Sequence, residues 1–278
     1  MKWSFLPCLI FSVFFGSCGH LFFQPSSVLY SHPSQMGIDA QDFYIAVTPE
    51  IRLHAQHLKV DATQKVRGTI VQFHGNAENL SSHYRSLAWL VEHGYELFVF
   101  DYRGYGKSQG RSNFENAYQD GLKVLEIIER KRNQDGPLIL FGQSLGGAIL
   151  QKVLAERSDH QSVSLIVLDS TFSSYRQAAA SALASHWLTY LFSPLGHVLV
   201  SDRHSGKDLF FQRVKKPLLV IHSENDPVVN YRLGAEIAKR YLGAKDLWSF
   251  ETPSHIGVFF VEDLKYRDQF INYLEQFH

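Results

Sequence analysis

At 278 residues and 45% hydrophobic composition, the chain is long enough for one large α/β domain with a sizeable buried core. Its 27 Lys+Arg balance 27 Asp+Glu, and no basic run or Arg-rich stretch breaks that balance, which argues against a nucleic-acid partner. Both cysteines, Cys8 and Cys18, lie in the first twenty residues, so the rest of the chain can hold neither a disulfide framework nor a cysteine metal site.

Residues 1–23 read as a signal or membrane-anchor segment. Lys2 gives a positive start, Phe5 to Phe15 is an apolar run, and Phe15-Gly16-Ser17 leads into Cys18-Gly19. The pattern resembles a bacterial lipoprotein signal, which implies cleavage before Cys18 and lipidation of that residue; Phe15 departs from it, standing where such signals usually carry an aliphatic side chain. An ordinary secretory signal and an uncleaved anchor from Trp3 to Phe23, long enough to span a bilayer, are the alternatives. All three put the body at a membrane or outside the cytoplasm, the lipoprotein reading at the periplasmic face. Residues 24–39, polar and carrying Pro25 and Pro33, read as a linker to a domain over 40–278.

Asp42 to Val47 and Ile51 to Val60 read as two strands of a hairpin turning at Thr48-Pro49-Glu50. His54 and His57 are expected on its surface, since no partner stands at metal-ligand spacing from them. From Thr69 the pattern becomes buried strands alternating with helices. Strand runs fall at Thr69–Phe73, Leu97–Phe100, Leu138–Phe141, Ser164–Leu168, Leu218–Ile221 and Leu247–Phe250. Helical stretches include Leu87 to Val91, one opened by a capping box at Ser112-Asn113-Phe114-Glu115, Gly147 to Ala155, Tyr231 to Leu242 ended by Gly243, and Tyr266 to Phe277. Such alternation predicts a mostly parallel sheet with helices on both faces, and ligands at the carboxyl ends of its strands. The interval from Asp169 to Pro217 is too long for a bare loop. Leu183, Trp187, Tyr190 and Leu191 share a helical face there, which predicts a cap of one or two helices, broken near Pro194, within an insertion over about 173–214.

Gly142-Gln143-Ser144-Leu145-Gly146 sits between the strand run Leu138–Phe141 and a helical segment. Strand, sharp turn and helix are the context of a G-x-S-x-G nucleophile elbow. A serine hydroxyl needs an adjacent base, and the base needs a carboxylate to fix its tautomer. Asp226, before Pro227, and His255, in Pro253-Ser254-His255, each follow a strand run and come in the order Ser, Asp, His. Asp169 is the rival acid and His222 the rival histidine. The oxyanion of acyl transfer needs preorganised N–H donors. Leu145 supplies one, and Asn76, in His74-Gly75-Asn76-Ala77 after Phe73, is the candidate for the other. Gly106-Lys107-Ser108 lacks the earlier glycine of a phosphate loop, because Asp101 occupies its place.

These motifs, with Asp101-Tyr102-Arg103-Gly104-Tyr105-Gly106-Lys107-Ser108, resemble an α/β-hydrolase of the serine-hydrolase type from Gly68 to the C-terminus. The chain is similar to its small cap-bearing branch, near monoacylglycerol-lipase-like and serine-aminopeptidase-like members. Ser223 departs from that pattern, where Gly is frequent. The resemblance implies a turn in which Asp101 and Arg103 brace the floor of the site. The resulting expectation is a cofactor-free, metal-free serine hydrolase that cleaves a small carboxylic ester of short-to-medium acyl chain. Tyr102, Tyr105 and Trp187 would contact the substrate. A thioesterase or an aminopeptidase on the same triad is the alternative, and a non-catalytic membrane-tethered binding protein the reading from a different class.

Overall fold

The computed structural model describes residues 22–185 and 188–278; Cys8, Cys18 and Trp187 lie outside them. Eight strands form one sheet in the order β1-β2-β4-β3-β5-β6-β7-β8. They are β1 Ala40–Ala46, β2 Arg52–Leu58, β3 Gly68–Phe73, β4 Tyr95–Phe100, β5 Leu138–Gln143, β6 Val163–Asp169, β7 Leu218–Ser223 and β8 Lys245–Phe250. β4, β3, β5, β6, β7 and β8 run parallel, while β2 is antiparallel to both β4 and β1. The architecture is that of an α/β-hydrolase.

Apolar residues of the parallel strands alternate between two cores, as the pleat requires. Val71, Phe73, Leu138 and Leu140 enter one; Ile70, Ile139 and Phe141 enter the other. The first core is closed by α2 (Phe114–Lys131) and α3 (Leu145–Glu156), the second by residues 80–91 and by α8 (Lys265–Leu274). α2 turns Ala117, Gly121, Val124, Leu125 and Ile128 inward at helical spacing. Its N-cap is Asn113, which exchanges hydrogen bonds with Asn116; the cap falls one residue later than Ser112, whose hydroxyl instead donates to the Arg103 carbonyl. The stretch expected as a helix over Leu87–Val91 is instead a 3-10 turn at Ala88–His93, preceded by a one-turn helix, α1 (Leu80–His83), and a 3-10 turn at Tyr84–Ser86.

Three further expectations change. His54 and His57 are not surface residues: β2 lies between β1 and β4 and is buried on both faces. His54 meets Asp42 and Asp101, and His57 stacks on Phe98 with centroids 3.9 Å apart. α7 (Tyr231–Arg240) stops short of Gly243, because the buried Tyr241 is already extended.

The third change concerns the N-terminal boundary. Residues 24–39 are docked on the body, not a free linker. Asn79 donates through its side chain to the carbonyls of Ser26 and Val28, and the Tyr30 amide donates to Ser81 Oγ. Phe22 and Phe23, expected within the anchor segment, pack on Phe114, and Phe23 is 4% exposed in the first core.

The insertion after β6 holds α4 (Tyr175–Ala184), a 3-10 turn at Tyr190–Phe192, α5 (Ser193–Leu199) and α6 (Lys207–Arg213). Pro194 starts α5 instead of breaking a helix, since the first helical turn has no use for its missing N–H. Among the described residues no helix is long and apolar enough to cross a membrane.

Candidate active site

The parallel registers pair Phe73 with Gly142, Gln143 with Asp169 and Ser223 with Phe250, so the carboxyl ends of β3, β5, β6, β7 and β8 come level. Every candidate catalytic group follows one of these ends. Ser144 turns from β5 into α3 with φ 51° and ψ −120°, a strained conformation for a residue with a Cβ. The turn survives because its glycines admit close neighbours. A Cβ on Gly146 would sit 2.1 Å from the Phe73 carbonyl oxygen, and one on Gly142 would sit 2.7 Å from the Gly147 Cα. The Ser144 amide donates to the Asp169 carbonyl, and Thr171 Oγ1 donates to the Ser144 carbonyl, fixing the strained residue on both sides.

Ser144 Oγ lies 3.0 Å from His255 Nε2, and His255 Nδ1 lies 2.8 Å from Asp226 Oδ2. With its hydrogen on Nδ1, the imidazole keeps the Nε2 lone pair for the serine hydroxyl. Burial alone would raise the Asp226 carboxyl. Contacts from His222 and His255 and the Val229 amide outweigh it and hold the group below the usual carboxylate range, so it stays charged. His222 Nε2 donates to the Val229 carbonyl, bracing the Asp226 turn from within; it does not meet the serine.

Asp169, the rival acid, faces elsewhere. Its carboxylate accepts from Gln143 and from the Ser170 hydroxyl, and full burial raises its pKa. Gln72, Gln143 and Asp169 form a buried polar row across β3, β5 and β6, each supplying a partner to the next. An orphaned member would cost about 1–3 kcal/mol.

Sequence reasoning missed Ser170. It has φ 52°, and its Oγ accepts from the Ile256 amide at 3.1 Å while donating to Asp169 Oδ1. Ile256, next to His255, is itself at φ 52°, which costs a β-branched residue strain. Ser170 therefore ties the histidine loop to the end of β6. Its only signal in the sequence is its place directly after a strand-ending Asp.

Gly75 passes over Ser144: a Cβ there would lie 3.5 Å from Ser144 Cβ. Ala77 and Glu78 follow in the left-handed region, so the chain turns sharply at Asn76. Asn76 Oδ1 accepts from the Tyr105 hydroxyl at 2.9 Å and from the Gln24 amide at 2.8 Å. Leu145 is the first residue of α3, so its N–H is among those that no carbonyl of that helix accepts.

Tyr102 and Tyr105 do not line an open cleft. Both are fully buried, Tyr102 donating to the His74 carbonyl and Tyr105 to Asn76, because their hydroxyls are what satisfies the loop above them. Asp101 accepts from the Leu80 amide and faces His54 and His74, while Arg103 makes a two-pronged pair with Asp120 on α2. Burial raises Asp101, but its two histidine neighbours prevail and lower it. Among the described residues no group of His, Cys, Asp and Glu could hold a metal ion.

Residues 64–210, a little over half of the chain, match the family described as serine aminopeptidase, S33. The uncharacterized protein YfhR of Escherichia coli (strain K12) is 31% identical over 210 residues, covering 74% of this chain and 69% of that protein. The lysophosphatidylserine lipase of Mus musculus is 27% identical over 220 residues, 76% of this chain but 54% of that one, so the match spans about half of the lipase. An esterase of Pyrococcus furiosus superposes with a TM-score of 0.71 at 19% identity, over 92% of this chain and 98% of its own; at that identity the likeness concerns the fold. The chain therefore belongs to the serine aminopeptidase S33 family and is a hydrolase of α/β-hydrolase fold.

Proposed function

We propose that the protein cleaves a carboxylic ester through an acyl-enzyme on Ser144. The observation that carries this reading is the hydrogen-bonded chain from Ser144 Oγ through His255 to a charged, buried Asp226, spanning 3.0 and 2.8 Å. His255 Nε2 takes the hydroxyl proton as Oγ attacks the carbonyl carbon. The resulting oxyanion is met by the N–H groups of Leu145 and Asn76. The proton passes to the leaving alkoxide as the C–O bond breaks. Water then repeats the sequence on the acyl-serine, returning the carboxylic acid and free enzyme. Asp226 orients the imidazole and stabilises its cationic form.

A thioester or an aminoacyl amide would use the same steps. The ester reading is favoured over the amide because residues 177–201 of the cap carry no acidic side chain to pair with a free α-amino group. A fluorophosphonate probe tests the chemistry. It should label the purified protein at Ser144 and fail on Ser144→Ala; a wild type left unlabelled would return the protein to the binding class. For the N-terminus, lipidation at Cys18 and attachment to a membrane outside the cytoplasm remain our reading, supported by the run Phe5 to Phe15 before Cys18. Mass spectrometry of the mature N-terminus tests it, and a chain starting at Met1 would favour the uncleaved anchor.

A further inference from the structure

Residues 177–201 contain no Asp, Glu, Lys or Arg. One side of α5 is pressed onto α4: a Cβ on Gly196 would stand 2.4 Å from the Ala180 nitrogen, and Val200 is buried. The other side is bare. Leu191 is 84% and Val198 76% exposed, and Tyr190, Phe192 and Leu195 are also exposed. Leu195 and Val198, three apart in α5, share one face, and Leu191 stands in the 3-10 turn that leads into it. A contiguous apolar face rimmed by polar residues marks a surface that something covers.

We propose that this face of the cap seats on a membrane containing anionic lipid. The place where the preceding chain joins the body points to that occupant. The Phe22 ring lies 5.3 Å from Tyr175, the first residue of α4. Only six residues, Gly16 to Leu21, separate Phe22 from the apolar run ending at Phe15, a reach of at most about 25 Å. On the N-terminal reading above, a lipid-inserted or lipidated N-terminus would hold the base of the cap at the bilayer. Charge agrees: Arg176 and Arg203 are exposed at the two feet of the uncharged stretch, where they can meet anionic head groups. α5 has seven residues, enough to lie in an interface and too few to cross one. A second copy of the chain fits less well, since five side chains fall short of the roughly 800 Å² per partner of a stable interface. On the serine-hydrolase reading above, on which this last point rests, the seating brings Ser144 to acyl substrates held in the lipid.

The test uses the full chain with Cys8 replaced by Ser, Cys18 kept as the lipidation site, and an environment-sensitive dye on Leu191→Cys, Val198→Cys or Gln64→Cys, each read against the same chain without an added cysteine. Gln64 is exposed in the loop before β3, at the opposite end of the parallel strands. Vesicles of equal parts phosphatidylcholine and phosphatidylglycerol should shift the first two dyes to the blue, and brominated acyl chains should quench them, with no response at Gln64. The double variant Leu191→Ser/Val198→Ser should lose about tenfold or more in rate on a vesicle-borne ester while a water-soluble ester is unaffected. Dyes at both cap positions that stay water-exposed while the chain floats with the vesicles would overturn the proposal, leaving the N-terminus as the sole tether. Dyes already blue-shifted without lipid, in a chain of dimeric mass, would assign the face to a second copy. If the wild type hydrolyses neither ester but the cap dyes enter lipid, the docking stands and the hydrolase reading falls.

Discussion

The main-chain N–H of Gln24 donates to the side-chain oxygen of Asn76 at 2.8 Å, across fifty-two residues of sequence. The Tyr105 hydroxyl reaches the same oxygen and also accepts from that N–H, at 3.0 Å. The first residues of the described body are therefore built into the loop that passes over Ser144. With Asn76 as an oxyanion donor, its side chain is the handle by which that donor is aimed.

Tyr105→Phe tests the handle. It keeps the ring in the core and removes one donor to Asn76. Losing an oxyanion donor outright costs about 10²–10³ in kcat, so loosening one should cost about tenfold, with KM little changed. Steady-state kinetics on a soluble ester separate the two. A rise in KM alone would mean that Tyr105 serves only packing.

Ser144→Ala should lower kcat by about 10⁴–10⁶ with the fold intact, because the members of a triad act as a unit. Far-UV circular dichroism and the unfolding midpoint establish the fold. Retention of a tenth of the activity would assign the nucleophile elsewhere.

Asp226→Asn should cost about 10⁴ in kcat by favouring the wrong tautomer of His255. Asp169→Asn should cost far less activity, because that carboxylate meets Gln143 and Ser170 rather than the imidazole. Comparing the two variants under one assay settles the order, and the reverse ranking would move the acid to Asp169.

The parallel sheet, the elbow and the order Ser144, Asp226, His255 were legible in the sequence because each rests on local pattern: apolar runs, a glycine-flanked serine, polar residues just past a strand. Non-local contacts were not legible. Nothing near His54 reveals that β2 will be covered on both faces, and nothing near Phe22 distinguishes the last anchor residue from the first core residue. Tyr102 and Tyr105 looked like lining because aromatic side chains near a site suit a pocket. Their hydroxyls find partners only when His74 and Asn76 fold over them. The spacing also joined Leu183 to Tyr190 and Leu191 on one helical face, but α4 ends at Ala184, and Tyr190 and Leu191 lie exposed in a separate 3-10 turn.

Stability should fall on mild acidification because of His83. Burial, and then its neighbour His74, push its imidazole down from 6.5 to about 3. Between those values the unfolded chain takes up a proton that the folded chain refuses. The stabilisation is thus complete above about pH 6.5 and drains as pH falls towards 3, at up to about 1.4 kcal/mol per pH unit. Asp101 and Asp226, whose folded values are also lowered, begin to add their own loss only as pH falls to the ordinary carboxylate value of 3.8. Urea midpoints between about pH 6.5 and about pH 4.5 therefore report histidines ahead of these carboxylates; burial also lowers His204, so the share of His83 is the part of the slope that its substitution removes. His83→Gln, which keeps a donor for the Ala77 carbonyl, should flatten that slope. Equal slopes in the two proteins would mean that His83 is protonated in the fold.

The last expectation concerns substrate class. Family membership alone would favour an aminoacyl amide, whose free ammonium needs a carboxylate beside the leaving group's opposite end. The cap offers none between Gln177 and Ser201, and Asp202 is already engaged by the Ser174 hydroxyl and the Arg176 amide. Past Thr171 the chain runs into an aromatic cluster. Phe172 directly follows Thr171, which bonds the Ser144 carbonyl, and its ring packs with Phe22 and Tyr175. Each acyl methylene buried against such rings is worth about 0.8 kcal/mol, or close to fourfold in kcat/KM, until the wall ends. A p-nitrophenyl ester series should therefore climb over the first few carbons and then fall, and should exceed an aminoacyl p-nitroanilide throughout. Phe172→Ala should flatten the climb without abolishing turnover of the shortest ester. A flat wild-type series, or preference for the aminoacyl amide, would remove the ester assignment and leave Phe172 as a core residue.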